Sequence, residues 1–203
     1  FIKNVLRNSE DLVIDKDHLM VISPDEGAMS RAVYMANNLS VAMGMFYKRR
    51  DYSTIVDGQN PIVAHEYLGI SPAGKDVIVV DDMISSGGSM IDTAKELKKR
   101  GARNIYIFST FGLFTNGLAK FDEAYSRGLF TGILTTNLTY QPPELLKRDY
   151  YVSVDLNKYV AYIIDTLNHN SSISELLDPS AKIKKLVERY NEENVHQQLS
   201  WLD

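Results

Sequence analysis

The sequence contains no cysteine, which excludes disulfides, thiolate zinc sites and a cysteine nucleophile together. No apolar run approaches the roughly 18 residues of a membrane span. Residues 1–7, FIKNVLR, hold neither the apolar core nor the small-residue cleavage site of a secretory signal. The expectation is a soluble, cytoplasmic chain with no membrane partner. Positive charge is scarce as well: 22 Lys and Arg against 26 Asp and Glu leave a net charge of −4. No nucleic-acid partner is therefore expected, and an anionic ligand must be held by local groups. Two common phosphate signatures are missing, since no strand is followed by G-x-G-x-x-G and no Gly-Lys-Ser/Thr triplet occurs. Asn38, Asn137 and Asn170 each open an Asn-x-Ser/Thr triplet, but without a secretory signal these are read as chance matches.

What is present is alternation. Within 203 residues, 44% of them apolar, short β-branched runs are followed by polar turns and then by apolar residues three and four apart, the pattern of repeated βα units. Strands are expected at 18–23, 41–47, 76–80, 104–109, 129–135 and 151–154, and helices at 28–39, 89–100, 119–126 and 156–167. Gly101 is a suitable stop for the helix before it. Strands joined by helices pair in parallel, and the unbroken apolar run at 77–80 suits a strand covered on both faces. The fold class is thus α/β, a mostly parallel central sheet flanked by helices, in a single domain over 1–203. Regularity lapses from about 48 to 74, where Gly58, Pro61, Gly69, Pro72 and Gly74 punctuate a polar stretch; a long mobile loop is expected there, with room for a hairpin. A helical tail runs from about 174 to 203, with Ile183, Leu186, Val187 and Tyr190 on one helix face. Trp201 is either its anchor or exposed.

The chemistry concentrates at residues 77–89, VIVVDDMISSGGS. Asp81 and Asp82 close a buried strand where open α/β sheets bind ligands. Ser85, Ser86, Gly87, Gly88 and Ser89 follow as a turn of small and hydroxyl-bearing residues at a helix N-terminus, a cradle for phosphate. Two carboxylates beside such a cradle would repel phosphate, so they serve something else: vicinal hydroxyls, a divalent cation, or both. A sugar phosphate satisfies both halves. The plainer alternative is that Asp81 caps a turn and the serines merely start a helix.

Four apolar residues, two acidic residues and a small hydroxyl-rich turn resemble the phosphoribosyl-diphosphate motif of type I phosphoribosyltransferases and of ribose-phosphate diphosphokinases. Three further segments are similar to the diphosphokinases in particular: VISPDEG at 21–27 with Arg31, YKRR at 47–50, and GKD at 74–76 leading into the motif strand. The resemblance runs from about 18 to 177 and implies the carboxyl-terminal half of such an enzyme. It implies Lys48 and Arg50 as catalytic cations on the ATP phosphates, Asp25 as a ligand of Mg2+, Asp81 and Asp82 on the ribose hydroxyls, and residues 85–89 on the 5-phosphate. ATP and ribose 5-phosphate are the implied partners, Mg2+ the implied cofactor, and homo-oligomers, hexamers among them, the implied assembly.

Glu26, Ala28, Asp51, Ser85, Ser86 and Ser89 depart from the family pattern, Ser85 removing a carboxylate near the ribose. His18, His65, His169 and His196 supply no match to the metal-binding histidine of the amino-terminal half. The chain, which starts at Phe1, is therefore expected to lack that half, to bind ribose 5-phosphate, and to be inactive alone. Two alternatives stay open: a phosphoribosyltransferase consuming phosphoribosyl diphosphate, with the YQPP segment at 140–143 as its candidate base contact, and a non-catalytic regulatory subunit.

Overall fold

A computed structural model describes residues 1–9, 12–50 and 62–199. In chain order the elements are α1 (Ile2–Arg7), β1 (Leu19–Ser23), α2 (Met29–Leu39), β2 (Ala42–Arg50), β3 (Ile62–Leu68), β4 (Asp76–Ile84), α3 (Gly88–Lys99), β5 (Ile105–Gly112), α4 (Ala119–Ser126), β6 (Gly132–Thr136), β7 (Tyr151–Val154), α5 (Asn157–Asn168), α6 (Ser174–Leu177) and α7 (Ser180–Leu199). The described strands form one sheet in the order β3-β2-β1-β4-β5-β6-β7. Every pairing is parallel except β2 with β3. The expected α/β class and mostly parallel sheet hold.

Period-two alternation along β4 explains its uninterrupted apolar run. Val77 and Val79 point into one core with Ile107, Ile133, and the α3 and α4 residues Ala94, Leu97 and Phe121. Ile78 and Val80 point into the other, with Val21, Phe108, Leu134, and the α1 and α2 residues Val5, Ala32 and Ala36. Both faces are dry, so polar residues inside the strand would each lose hydration without a partner. α7 adds Ile183, Leu186 and Val187 to the second core, and the Tyr190 hydroxyl donates to the Leu12 carbonyl at 2.8 Å. The face expected from the sequence is the one that packs; Trp201 lies outside the described residues.

α3 ends as its sequence suggests. Gly101 takes φ +85°, its N–H bonds the Lys98 carbonyl, and the Ala102 N–H bonds that of Leu97, which is the paired closure of a Schellman motif. Asn137 is structural, its side chain reaching Asp155 and Asn157 and accepting the Leu156 N–H.

The stretch from 48 to 74 contains the hairpin for which the sequence left room. Its first three residues finish β2 and residues 62–68 return as β3, with Lys48 opposite His65 and Arg50 opposite Ile62. The excursion is a hairpin built on the β2 edge of the sheet, and the strand expected at 41–47 runs three residues further, to Arg50, because β3 gives it a partner. The tip, 51–61, lies outside the described residues. α1 was not foreseen: six residues are too few for a periodicity to register, and the helix is held by burying Ile2 and Val5 rather than by propensity.

Candidate functional site

β1 and β4 lie side by side, but the chain leaves β1 toward β2 and leaves β4 toward β5, so the carboxyl ends of β1 and β4 flank the point where strand order reverses. Connections diverge there and open a crevice. Its two walls are the β1–α2 turn, 24–28, and the β4–α3 turn, 85–87. Between them lies a cleft of about 390 Å³ lined by Asp25, Gly27, Arg31, Asp81 to Ser86, Gly87, Ser89 and Met90. Segments 56 residues apart in sequence thus share one surface because parallel pairing brings both strand ends to the same side.

On the first wall, the Ser23 hydroxyl donates to the Asp25 carbonyl at 2.6 Å, and the Ala28 N–H donates to Asp25 Oδ1 at 3.2 Å. These bonds hold the turn and aim the Asp25 carboxylate across it. On the second wall, the Asp82 N–H donates to Asp81 Oδ1 at 2.8 Å. Arg31, from the first turn of α2, reaches Asp82 Oδ2 at 3.4 Å. The Asp81 carboxyl is pushed up to about 6, chiefly by burial, with the Asp82 side chain and the charges of Asp25 and Asp82 also raising it and the Asp82 amide opposing them. A carboxylate so placed binds a proton more readily than usual, and a cation or hydroxyl donors would relieve the same excess of negative charge.

The turn between β4 and α3 contains two glycines with different reasons to be there. Gly87 takes φ +79°, and a Cβ on it would stand 2.0 Å from the Phe121 ring carbon Cζ. The fold demands this glycine whether or not a ligand approaches. Gly88 opens α3, and a Cβ there would meet nothing within 4 Å; it faces a neighbouring cleft that also touches Lys95 and Lys120. At Gly87 the left-handed conformation and the packing against Phe121 exclude a side chain independently of any ligand.

Of the site residues expected from the sequence, Asp25, Asp81, Asp82, Ser85, Ser86, Gly87 and Ser89 line the cleft, and Gly88 lines a different one. Lys48 and Arg50 were expected to open a loop; their backbone finishes β2 instead. Because Ser23 pairs with Met45, that end of β2 runs past the carboxyl end of β1, on the side of the sheet where Asp25 lies. Their side chains are outside what is described. Arg31 enters the sequence reading only as part of a resembling segment, without a role. Its signal was position: it falls four residues after Gly27, in the opening turn of a helix that starts at the ligand end of the sheet. Tyr140 is 82% exposed, whereas Gln141 is tied to the Thr136 carbonyl and to Tyr151, the bonds of an ordinary turn.

Among the described residues no group of three or more His, Cys, Asp or Glu is arranged to hold a metal by itself. Magnesium does not require one, since it keeps several waters and takes one or two carboxylates with substrate phosphates. Asp25, Asp81 and Asp82 offer hard oxygen donors on one cleft, and the raised Asp81 marks a local excess of negative charge. The donor set fits the ion.

The sequence model of the family described as "Phosphoribosyl transferase domain" matches residues 2–147. A protein named ribose-phosphate pyrophosphokinase from Mycoplasma pneumoniae is 31% identical over 166 residues, covering 81% of this chain and 48% of its own. One of the same name from Thermococcus kodakarensis is 35% identical over 131 residues, covering 63% of this chain and 44% of its own. The chain thus spans about half the length of these curated relatives. A solved phosphoribosylpyrophosphate synthetase from Mycobacterium smegmatis superposes with a TM-score of 0.62 at 22% identity, covering 83% of this chain and 51% of that one; the likeness is one of fold. No helix among the described residues is long and apolar enough to cross a membrane.

Proposed function

The chain belongs to the phosphoribosyl transferase domain family, and from that premise we propose that it is the ribose-5-phosphate-binding part of a ribose-phosphate diphosphokinase. The observation that carries this is the meeting of Asp25, Asp81, Asp82 and the serine-rich turn on one cleft at the reversal of strand order. Asp81 and Asp82 accept hydrogen bonds from the vicinal ribose hydroxyls. The amides and hydroxyls of residues 85–89 hold the 5-phosphate at the N-terminus of α3. The 1-hydroxyl then lies toward Asp25 and the end of β2. Its oxygen forms a bond to the β-phosphorus of ATP as the bridge from the α-phosphate breaks, leaving AMP and phosphoribosyl diphosphate, with the hydroxyl proton released. Charge grows on the transferred and leaving phosphates, and Lys48 and Arg50 stabilise it from the hairpin. Mg2+, held by Asp25 with the help of Asp81 or Asp82, would supply charge neutralisation of the phosphate oxygens. ATP recognition would draw on residues beyond this chain, and on a second subunit in a homo-oligomer.

The test uses the full-length protein with magnesium, ATP and ribose 5-phosphate. AMP release is expected, abolished by Lys48→Ala while sugar-phosphate binding survives. Base-dependent release of diphosphate from phosphoribosyl diphosphate, without AMP formation from ATP, would overturn the reading in favour of a transferase. Binding without either activity would favour a regulatory subunit.

A further inference from the structure

Below the phosphate turn, and outside the cleft, lies the loop from β5 to α4. Its amides converge on the turn: the Leu113 and Phe114 N–H groups both reach the Ile84 carbonyl, at 2.9 and 3.3 Å, and the Thr115 N–H reaches the Ser85 carbonyl at 3.1 Å. A trans peptide is planar, with its C=O and N–H pointing in opposite directions, and among the described residues there is no cis peptide. Fixing the Ile84 carbonyl on the loop therefore directs the Ser85 N–H the other way, and fixing the Ser85 carbonyl does the same for the Ser86 N–H. Both serines line the cleft.

Three consecutive amides face two adjacent carbonyls because Phe114 is left-handed, at φ +46°. That region is unfavourable for a bulky L-residue, but successive N–H groups converge when one residue adopts it. The ring of Phe114 is held in exchange. It is buried, packs edge-on against Phe121 with centroids 5.0 Å apart, and approaches Tyr151. Phe121 in turn is the ring that presses on Gly87. A Cβ at Gly112 would collide with Phe114 and Thr135, so the entry to the loop is fitted around the same ring. We infer that Phe114 is a positioning residue: its left-handed backbone pins the carbonyls of Ile84 and Ser85 and so aims the amides of Ser85 and Ser86 at the phosphate of the bound sugar. This rests on the reading of residues 85–89 as a phosphate cradle.

The experiment follows backbone amides by NMR during titration of the wild-type protein with ribose 5-phosphate, and separately with inorganic phosphate. The Ser85 and Ser86 amides should shift downfield at saturation, while those of Leu113, Phe114 and Thr115 stay in place. Phe114→Asn and Phe114→Val both delete the ring, but asparagine tolerates the left-handed region and valine does not. Phe114→Asn should bind ribose 5-phosphate about tenfold more tightly than Phe114→Val, although the buried polar side chain makes it the less stable of the two. A purely structural role for Phe114 gives the opposite order, with affinity following stability, and that order would overturn the inference. So would wild-type binding that leaves Ser85 and Ser86 unmoved, a measurement that needs no variant to fold. A wild-type protein that binds neither ligand overturns the cradle reading itself, and the inference with it.

Discussion

β4 carries one carboxylate at its start and others in its carboxyl-terminal half, and Asp76 and Asp81 are treated in opposite ways. Asp76, at the start, is fully buried and meets Arg103 in a fork, with Nε to Oδ1 at 2.8 Å and Nη2 to Oδ2 at 2.6 Å, while the Asn104 N–H adds a third bond. Asp81, five residues on, has two other carboxylates as charged neighbours, and among the described residues the cation nearby, Arg31, is bonded to Asp82. One end of the strand is electrostatically closed and serves the fold. The other is left with an excess of negative charge on a cleft, which is what a site for cations and hydroxyls requires.

The comparison is sharpest at Asp76. Asp76→Asn should lower unfolding stability by about 2–4 kcal/mol, because the charge of Arg103 loses its partner beside a buried acceptor; partial exposure of Arg103 limits the loss. Asp81→Asn should leave urea unfolding unchanged or slightly strengthened while abolishing ribose 5-phosphate binding by calorimetry. Equal destabilisation by the two changes would erase the distinction between the ends.

Next comes the pair of glycines just beyond Asp81. Gly87→Ala forces a side chain against Phe121 in a left-handed backbone and should cost about 2–3 kcal/mol, lowering the melting temperature. Gly88→Ala meets open space at the first helical position and should be neutral or stabilising by up to about 1 kcal/mol. Matching melting curves for the two variants would show that Phe121 yields easily and that the turn is softer than its geometry.

The pH dependence of stability should also separate the ends. In the folded protein Asp81 keeps its proton up to about pH 6, whereas an unfolded Asp ionises near about 3.9. The folded state therefore binds the extra proton between those values. The contribution of Asp81 is fully present below about pH 4 and is lost as pH rises through about 6. Chemical unfolding across that range should show a decline that Asp81→Asn removes; a persistent decline in the variant would assign it to another group. The smallest effect belongs to Arg31. Its exposed pair with Asp82 contributes at most about 0.5 kcal/mol, so Arg31→Gln should unfold like wild type, and any change should appear in phosphate affinity.

Much of the site was legible because it is contiguous. Asp81, Asp82 and the turn at 85–89 follow one another along a strand end and a helix start, and the apolar run before them declares the strand. Asp25 needed the resemblance, since one Asp after a Ser-Pro pair is unremarkable in spacing. The reason for Gly87 was not legible at all, because the ring that excludes a side chain lies 34 residues downstream. A hairpin within 48–74 was foreseen but the bounds of its β3 arm were not, because its sequence shows no clean alternation and the strand exists by pairing with β2.

By itself the sequence determined the βα alternation, the parallel sheet and the place where a phosphate-sized turn meets two carboxylates, since periodicity and turn chemistry are properties of neighbouring residues. Tertiary structure decided which carboxylate has a cation. Asp76 finds Arg103 because β5 lies beside β4 in the sheet, while Asp81 finds Asp25 because β1 lies on the other side. It also decided which glycine is obligatory and which loop aims the turn. Each of these depends on strand order, and strand order is set by how the whole chain buries its apolar faces.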